Sequence, residues 1–176
     1  NKYELTRPCV EQCQYNMLAR ERIELEYSKL FKDYKMGSTV YGAFCGGFLS
    51  GKYMNGVAED SRFGKSEVLK AIYYDPYMSE DKKKKTIETL KSLQEIGASL
   101  NASLTQLALA WTLNNPDVST AIISFSKMSQ FEENLKAMKL YPKLTHEIEE
   151  RIENALENKP KTKIDYKIWA NMLPRR

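Results

Sequence analysis

The chain has 176 residues, 42% of them hydrophobic, with a formal net charge of +4 and a pI near 8.8. That length suffices for one domain with its own core, and the basic excess is too small by itself to point to nucleic acid. Cys9, Cys13, Cys45 and the single histidine, His146, fall in no zinc-ligand spacing.

The odd cysteine count, with no disulfide framework, suits a reducing, cytosolic setting. No apolar run reaches the roughly 18 residues of a membrane span, and no signal-peptide pattern opens the sequence. Asn1 is not a methionine, so further chain upstream is expected.

Pro8 to Tyr15 nearly alternates apolar and polar side chains and reads as a strand. Arg20 to Lys35 carries Ile23, Leu25, Tyr27, Leu30 and Phe31 at mostly helical spacing, with Gly37 placed to stop the helix. Ser38 to Phe44, β-branched and aromatic, reads as a second strand. Gly42, Gly46, Gly47, Gly51 and Gly56 then mark a long irregular loop that runs through Ser61 to Phe63 toward Asp75-Pro76. Ser79 is expected to cap a helix reaching about Ile96, with Gly97 as its stop. Ser103 to Gln106 is a capping-box pattern, and its helix should end before Asn115-Pro116.

Ser119 to Ser124 reads as a third strand. A second capping box at Ser129 to Glu132 opens a helix to about Met138, and a last helix runs from near Thr145 to about Leu156. From Lys159 the tail is basic; it and the run Lys82 to Lys85 read as a soluble tail and a solvated face. The strand–helix alternation indicates an α/β fold with a parallel sheet. Three strands cannot close a barrel, and a complete (β/α)8 barrel takes about 250 residues. The chain therefore reads as three of eight barrel units plus a terminal helix.

Ligands of such barrels sit at the strand C-termini. Three places qualify. Gln12, beside Glu11, is either an edge or pore-lining residue or, through its amide, a partner for a carboxamide. Tyr41 is either a core aromatic or the start of a ligand loop whose Lys52 and Arg62 form an anion cradle. Ser124 to Lys127 feed a helix N-terminus that is either a phosphate site or an ordinary cap, and Gln130, Glu133 and Asn134 share one face of that helix. With one histidine there is no nucleophile–histidine pair, and no GxGxxG or P-loop pattern occurs.

Several stretches in collinear order resemble the aldo-keto reductase superfamily, specifically the group of voltage-gated potassium channel β subunits. They are Cys9 to Met17, Phe48 to Tyr53, Gly56, Ser61-Arg62, Leu104 to Trp111, Ser126 to Asn134, Leu140 to Leu144, Glu157 to Pro160 and Asp165-Tyr166. The resemblance implies the C-terminal portion of a (β/α)8 TIM barrel, strands six to eight with a terminal helix. Residues 1–158 would form the barrel part and 159–176 a basic tail.

It further implies NADPH/NADP as cofactor. Gln12 would hold the nicotinamide carboxamide and Tyr41 would stack on the nicotinamide ring. Gly42, Ala43 and Phe44 would follow along the diphosphate, and Lys52 and Arg62 would fold over the pyrophosphate and adenosine. Ser124 and Ser126 would lie at the 2′-phosphate, and Gln130, Glu133 and Asn134 at the adenine and ribose. The chain departs from the channel subunits at several positions. Gly42, Ala43 and Phe44 replace serine, proline and leucine, Gly46 replaces a cysteine, Ser124 a glycine and Phe125 a small residue.

The family's catalytic aspartate, tyrosine, lysine and histidine belong to the first barrel half, outside these residues. The implied activity is slow reduction of a small carbonyl substrate, redox sensing as a regulatory subunit, or both. The alternative is a non-catalytic component of a larger assembly. Implied partners are a potassium channel α subunit or another large assembly, with a homo-tetramer as the quaternary form. Neither nucleic-acid binding nor direct membrane insertion is implied. Localisation would be cytoplasmic, peripheral at a membrane through a partner.

Overall fold

In the computed structural model, residues 5–161 are described. Strands β1 (Val10–Gln14), β2 (Gly37–Tyr41) and β3 (Thr120–Ile122) form one parallel sheet in chain order. Gln12 pairs with Thr39, Gln14 with Tyr41, and Tyr41 in turn with Ile122. Because side chains alternate along a strand, this register puts Val10, Gln12, Gln14, Thr39, Tyr41, Thr120 and Ile122 on one face. Cys13, Ser38, Val40 and Ala121 lie on the other. The second face is covered: Val40 and Ser38 are fully buried and Cys13 is nearly so. The first face is open, leaving Val10, Tyr41 and Ile122 each at least 40% exposed.

Each expected strand is shorter than its sequence signal. β2 stops at Tyr41 because Gly42 turns the chain at φ 72. The stretch Arg20 to Lys35 is not one helix. It divides into a π-helical turn, Arg22–Glu26, and α1 (Ser28–Tyr34), meeting at Tyr27. Lys35, in the left-handed region at φ 54, ends α1. Gly37 is therefore not the cap; it opens β2, where a Cβ would lie 2.7 Å from Ser119 Oγ.

The glycine-rich segment, expected to be a loop, holds a tight turn, Cys45–Ser50, and two helices, α2 (Glu67–Tyr73) and α3 (Asp75–Met78). Helix α4 (Lys83–Ser99) starts later than expected: Ser79 ends α3, and its carbonyl accepts the amides of Lys82 and Lys83. Gly97 does not stop α4. It is buried within the helix, and a Cβ there would sit 3.0 Å from the Ala102 carbonyl oxygen.

Helix α5 (Leu104–Asn114) starts at its capping box and ends before Pro116, as read. Helix α6 (Met128–Leu135) begins at Lys127, two residues before the expected cap, and passes into a 3-10 turn, Lys136–Lys139. Helix α7 (His146–Leu156) is capped by Thr145, whose hydroxyl accepts the Ile148 amide.

α4 packs on α5 and on α7. Leu90, Leu93, Leu107 and Ile152 from these three helices are fully buried. One polar clamp joins the two ends of the chain. Arg20, 4% exposed, pairs with both carboxylate oxygens of Glu24 and both of Glu153, and also donates to Asn158 Oδ1. Its guanidinium lies 5.1 Å from the Trp111 ring centroid, and Trp111 stacks on Tyr15. All its strong donors are used, which offsets the desolvation of a buried cation. The Asp165-Tyr166 motif and the basic tail beyond Lys161 lie outside the described residues.

Candidate functional site

Tyr41 and Ser124 to Lys127 lie at and beyond the C-terminal ends of β2 and β3, while Gln12 stands mid-strand in β1, two residues before its C-terminal end. Gln12 and Tyr41 share the open face of the sheet, on adjacent strands. A groove of about 540 Å³ is lined by both, together with Gln14, Arg20, Arg22 and Asn158. Gln12 is exposed and has no side-chain hydrogen bond among the described residues, so its amide is available to a ligand.

The backbone after β2 is held from β1. Asn16, fully buried, donates through Nδ2 to the Gly42 carbonyl at 2.8 Å, while its Oδ1 accepts the amides of Leu18 and Ala19. Gln14 packs against Gly42, where a Cβ would meet Gln14 Cγ at 3.4 Å. Ala43 is buried in the core, and Phe44 packs against it from the surface side. Of Gly42, Ala43 and Phe44, only the backbone at Gly42 and part of Phe44 face outward.

Lys52 is exposed, with Nζ 4.7 Å from the Tyr53 ring centroid and no ion pair among the described residues. Arg62, also exposed, approaches Tyr73, which lies near Tyr41 and Cys45 as well. Burial first, then the neighbouring Tyr41 and Cys45, push the Tyr73 phenol upward, while Arg62 pulls it back. Beneath them, burial pushes the Cys45 thiol up to about 12, against a hydrogen bond from Tyr77. Phe48, Tyr53, Phe63, Tyr74 and Tyr77 form an aromatic cluster that supports the loop from below.

At the third place, Ser124 and Ser126 are exposed. Gln130 Oε1 accepts the Ser126 amide at 2.9 Å, the Ser126 hydroxyl at 3.2 Å and the Lys127 amide at 3.2 Å. The donors best placed to meet a phosphate are thus capped internally. The Glu133 carboxylate lies 3.4 Å from Lys136 Nζ, and its carbonyl accepts from Gln106. Asn134 is buried. Phe125 does not crowd the serines; it turns onto Phe131, ring centroids 4.9 Å apart.

The arrangement offers an amide and an aromatic face on the open sheet face and two exposed cations on a glycine-rich loop, while the donors before α6 are engaged by Gln130. The sequence reading assigned no role to Asn16, Gln14 or Tyr73. Asn16 and Gln14 had a visible signal, two polar residues closing the first strand, whereas Tyr73 becomes relevant only when α2 folds back. Among the described residues no cluster of His, Cys, Asp and Glu could hold a metal ion, and no helix is long and apolar enough to cross a membrane.

Parallel strands alternating with helices, with ligand-type side chains gathered toward the strand C-termini, define a portion of a β/α barrel. The chain belongs to the aldo/keto reductase family, whose model matches residues 1–157. It is 34% identical over 168 residues to a probable voltage-gated potassium channel subunit β of Oryza sativa subsp. japonica, covering 95% of this chain and 49% of that protein. It is 36% identical over 159 residues to a putative subunit of the same kind from Schizosaccharomyces pombe, covering 90% and 45%. The chain thus spans about half the length of the curated relatives it matches.

Among solved structures, it superposes on a glycerol dehydrogenase from Gluconobacter oxydans with a TM-score of 0.64 at 22% identity, covering 89% of this chain and 44% of that one. An aldo-keto reductase from Bacillus halodurans gives a TM-score of 0.56 at 23% identity, with coverages of 88% and 45%. The fold is therefore the C-terminal part of an aldo-keto reductase barrel.

Proposed function

We propose that these residues form the cofactor-binding side of an NADPH-dependent aldo-keto reductase barrel. The complete protein would reduce aldehydes or ketones slowly, act as a cytoplasmic redox-sensing subunit beside a potassium channel or another large assembly, or do both. One observation carries the reading. Gln12 and Tyr41 stand on the same open sheet face, and the loop bearing Lys52 and Arg62 leaves β2 directly after Tyr41. The bound nicotinamide would supply the hydride. Gln12 would hold its carboxamide and Tyr41 its ring, while Lys52 and Arg62 would neutralise the diphosphate. The proton donor and its partners would come from the first barrel half.

The test is NADPH affinity of the polypeptide that contains the whole barrel, measured by calorimetry. Lys52→Ala and Arg62→Ala should each weaken binding about tenfold, in line with the loss of one charge-assisted contact. Unchanged affinity in both variants would sink the loop assignment. A second reading, a barrel reused as a scaffold without cofactor, is favoured by the Gln130 cap, which satisfies the Ser126 and Lys127 donors internally. The nucleotide content of the purified protein separates the two: stoichiometric NADPH supports the first, none at saturating NADPH the second.

A further inference from the structure

Tyr41 is 40% exposed, and its hydroxyl has no hydrogen-bond partner among the described residues. The direction of its ring is therefore set by the backbone that carries it. That backbone is held from the end of β1 by two consecutive residues. The Tyr15 amide donates to the Tyr41 carbonyl at 3.2 Å, and Asn16 Nδ2 donates to the Gly42 carbonyl at 2.8 Å. The Cys45 amide donates to the same Gly42 carbonyl at 2.8 Å, so this planar peptide group is fixed from two sides. Gly42, at φ 72, has no side chain of its own to anchor the turn.

Asn16 is itself firmly held. It is 0% exposed, its Oδ1 accepts the Leu18 and Ala19 amides at 2.9 Å each, and its backbone exchanges two hydrogen bonds with Ala19. The turn after β1 needs only that oxygen, which an aspartate or a serine also supplies. What the amide adds is the Nδ2 donor, and it is spent on a carbonyl 26 positions away. One buried side chain thus locks the turn after β1 to the turn after β2. Leu18 and Ala19, in the first turn, line the same groove as Gln12 and Tyr41. Because Asn16 has no exposed surface, any effect it has on a bound molecule passes through the Gly42 backbone.

We propose that Asn16 is a positioning residue for the nicotinamide half of the cofactor: through the Gly42 carbonyl it holds Tyr41 at the angle at which its ring stacks. This inference rests on the reading of the barrel as NADPH-binding.

The test is calorimetry of the polypeptide that contains the whole barrel, with two ligands. One is NADPH; the other is adenosine 2′,5′-bisphosphate, which has the adenosine end and no nicotinamide. Asn16→Ser keeps an oxygen for the Leu18 and Ala19 amides and is too short to reach Gly42. It should weaken NADPH about five- to tenfold and leave the bisphosphate within about twofold of the parent. Gly42→Ala disturbs the same contact from the other side. Its Cβ would meet Gln14 Cγ at 3.4 Å, an ordinary contact, so only the strain at φ 72 acts. The same selective loss is expected, and this variant decides the matter if Asn16→Ser does not fold. In a Tyr41→Ala background, Asn16→Ser should cost NADPH about twofold at most, because the ring it positions is gone.

A parent that binds no NADPH would sink the cofactor reading and this inference with it. Tyr41→Ala that binds NADPH like the parent would sink the stacking of Tyr41, and the inference again. If Tyr41→Ala weakens NADPH while Asn16→Ser and Gly42→Ala bind it like the parent, the inference alone falls. It also falls if both ligands weaken equally, or if the full loss persists without Tyr41, since Asn16 would then merely hold the fold.

Discussion

Gly46 and Gly56 stand in the same glycine-rich loop, yet their environments assign them different roles. Gly46 has φ 65, and a Cβ would lie 2.9 Å from Tyr73 Cγ and 3.1 Å from the Phe63 ring. Gly56 has φ 118 and would meet nothing within 4 Å. Gly46→Ala must displace two packed rings as well as strain the backbone, so it should cost about 2–4 kcal/mol, against about 1 kcal/mol for Gly56→Ala. Urea unfolding of both variants checks the order.

Cys45 makes a second residue-scale prediction. Its folded-state value, about 12, lies above the ordinary 9.0, with burial the first cause. The folded protein keeps a proton that the unfolded chain releases. The Cys45 contribution to stability is thus fully present below pH 9 and is lost as pH rises toward 12. Cys45→Ala should flatten the decline in stability over that window. At pH 8 iodoacetamide should label exposed Cys9 and spare Cys45 until the protein unfolds.

At the scale of elements, α5 is the best-specified helix, and Gln106 shows why. Its Oε1 accepts the Ser103 amide, its own amide donates to Ser103 Oγ, and its Nε2 donates to the Glu133 carbonyl on α6. Ser103→Ala removes a cap and should cost about 1 kcal/mol. Gln106→Ala removes both the reciprocal cap and the tie to the Glu133 carbonyl on α6, so it should cost about 2 kcal/mol. Thermal unfolding of the two variants measures the difference; equal losses would mean that the tie to α6 carries no energy.

The capping box made α5 legible from sequence, because that signal is local, and the expected start of α7 near Thr145 falls on its cap. The strands were legible through β-branched and aromatic runs, although each proved shorter. What failed was glycine read as punctuation. Gly37 approaches Ser119 across the sheet, and Gly97 lies inside α4 against the chain that turns back at Ala102, so neither marks a helix end. α2 went unseen because its cap, Ser66, follows a turn-rich stretch, and its Val68 and Ile72 are exposed, so it shows no core-facing stripe. For the candidate site, the residue types and their places at the strand ends could be read. The internal capping by Gln130 and the approach of Tyr73 could not, since both depend on how separate segments fold back.

For the whole molecule the decisive feature is the open sheet. β1 and β3 each have one edge unpaired among the described residues, and the uncovered face presents Val10, Tyr41 and Ile122. Three parallel strands in that state are a template for pairing with another chain. In a closed barrel of the kind seen in the structural neighbours, this face becomes the lumen, packed by side chains from all eight strands.

The two environments give one substitution opposite effects. Ile122→Lys places a charge on the face at the free edge. In the 176-residue chain taken alone, the lysine stays in water and blocks edge pairing, so light scattering should show less self-association than the parent. In the complete protein, the same lysine must enter the lumen wall, and the melting temperature should fall, by an amount equivalent to about 2–4 kcal/mol. A complete protein that tolerates Ile122→Lys without loss of stability would mean that this face is not closed over, and that the three strands meet solvent or a different partner in the native molecule.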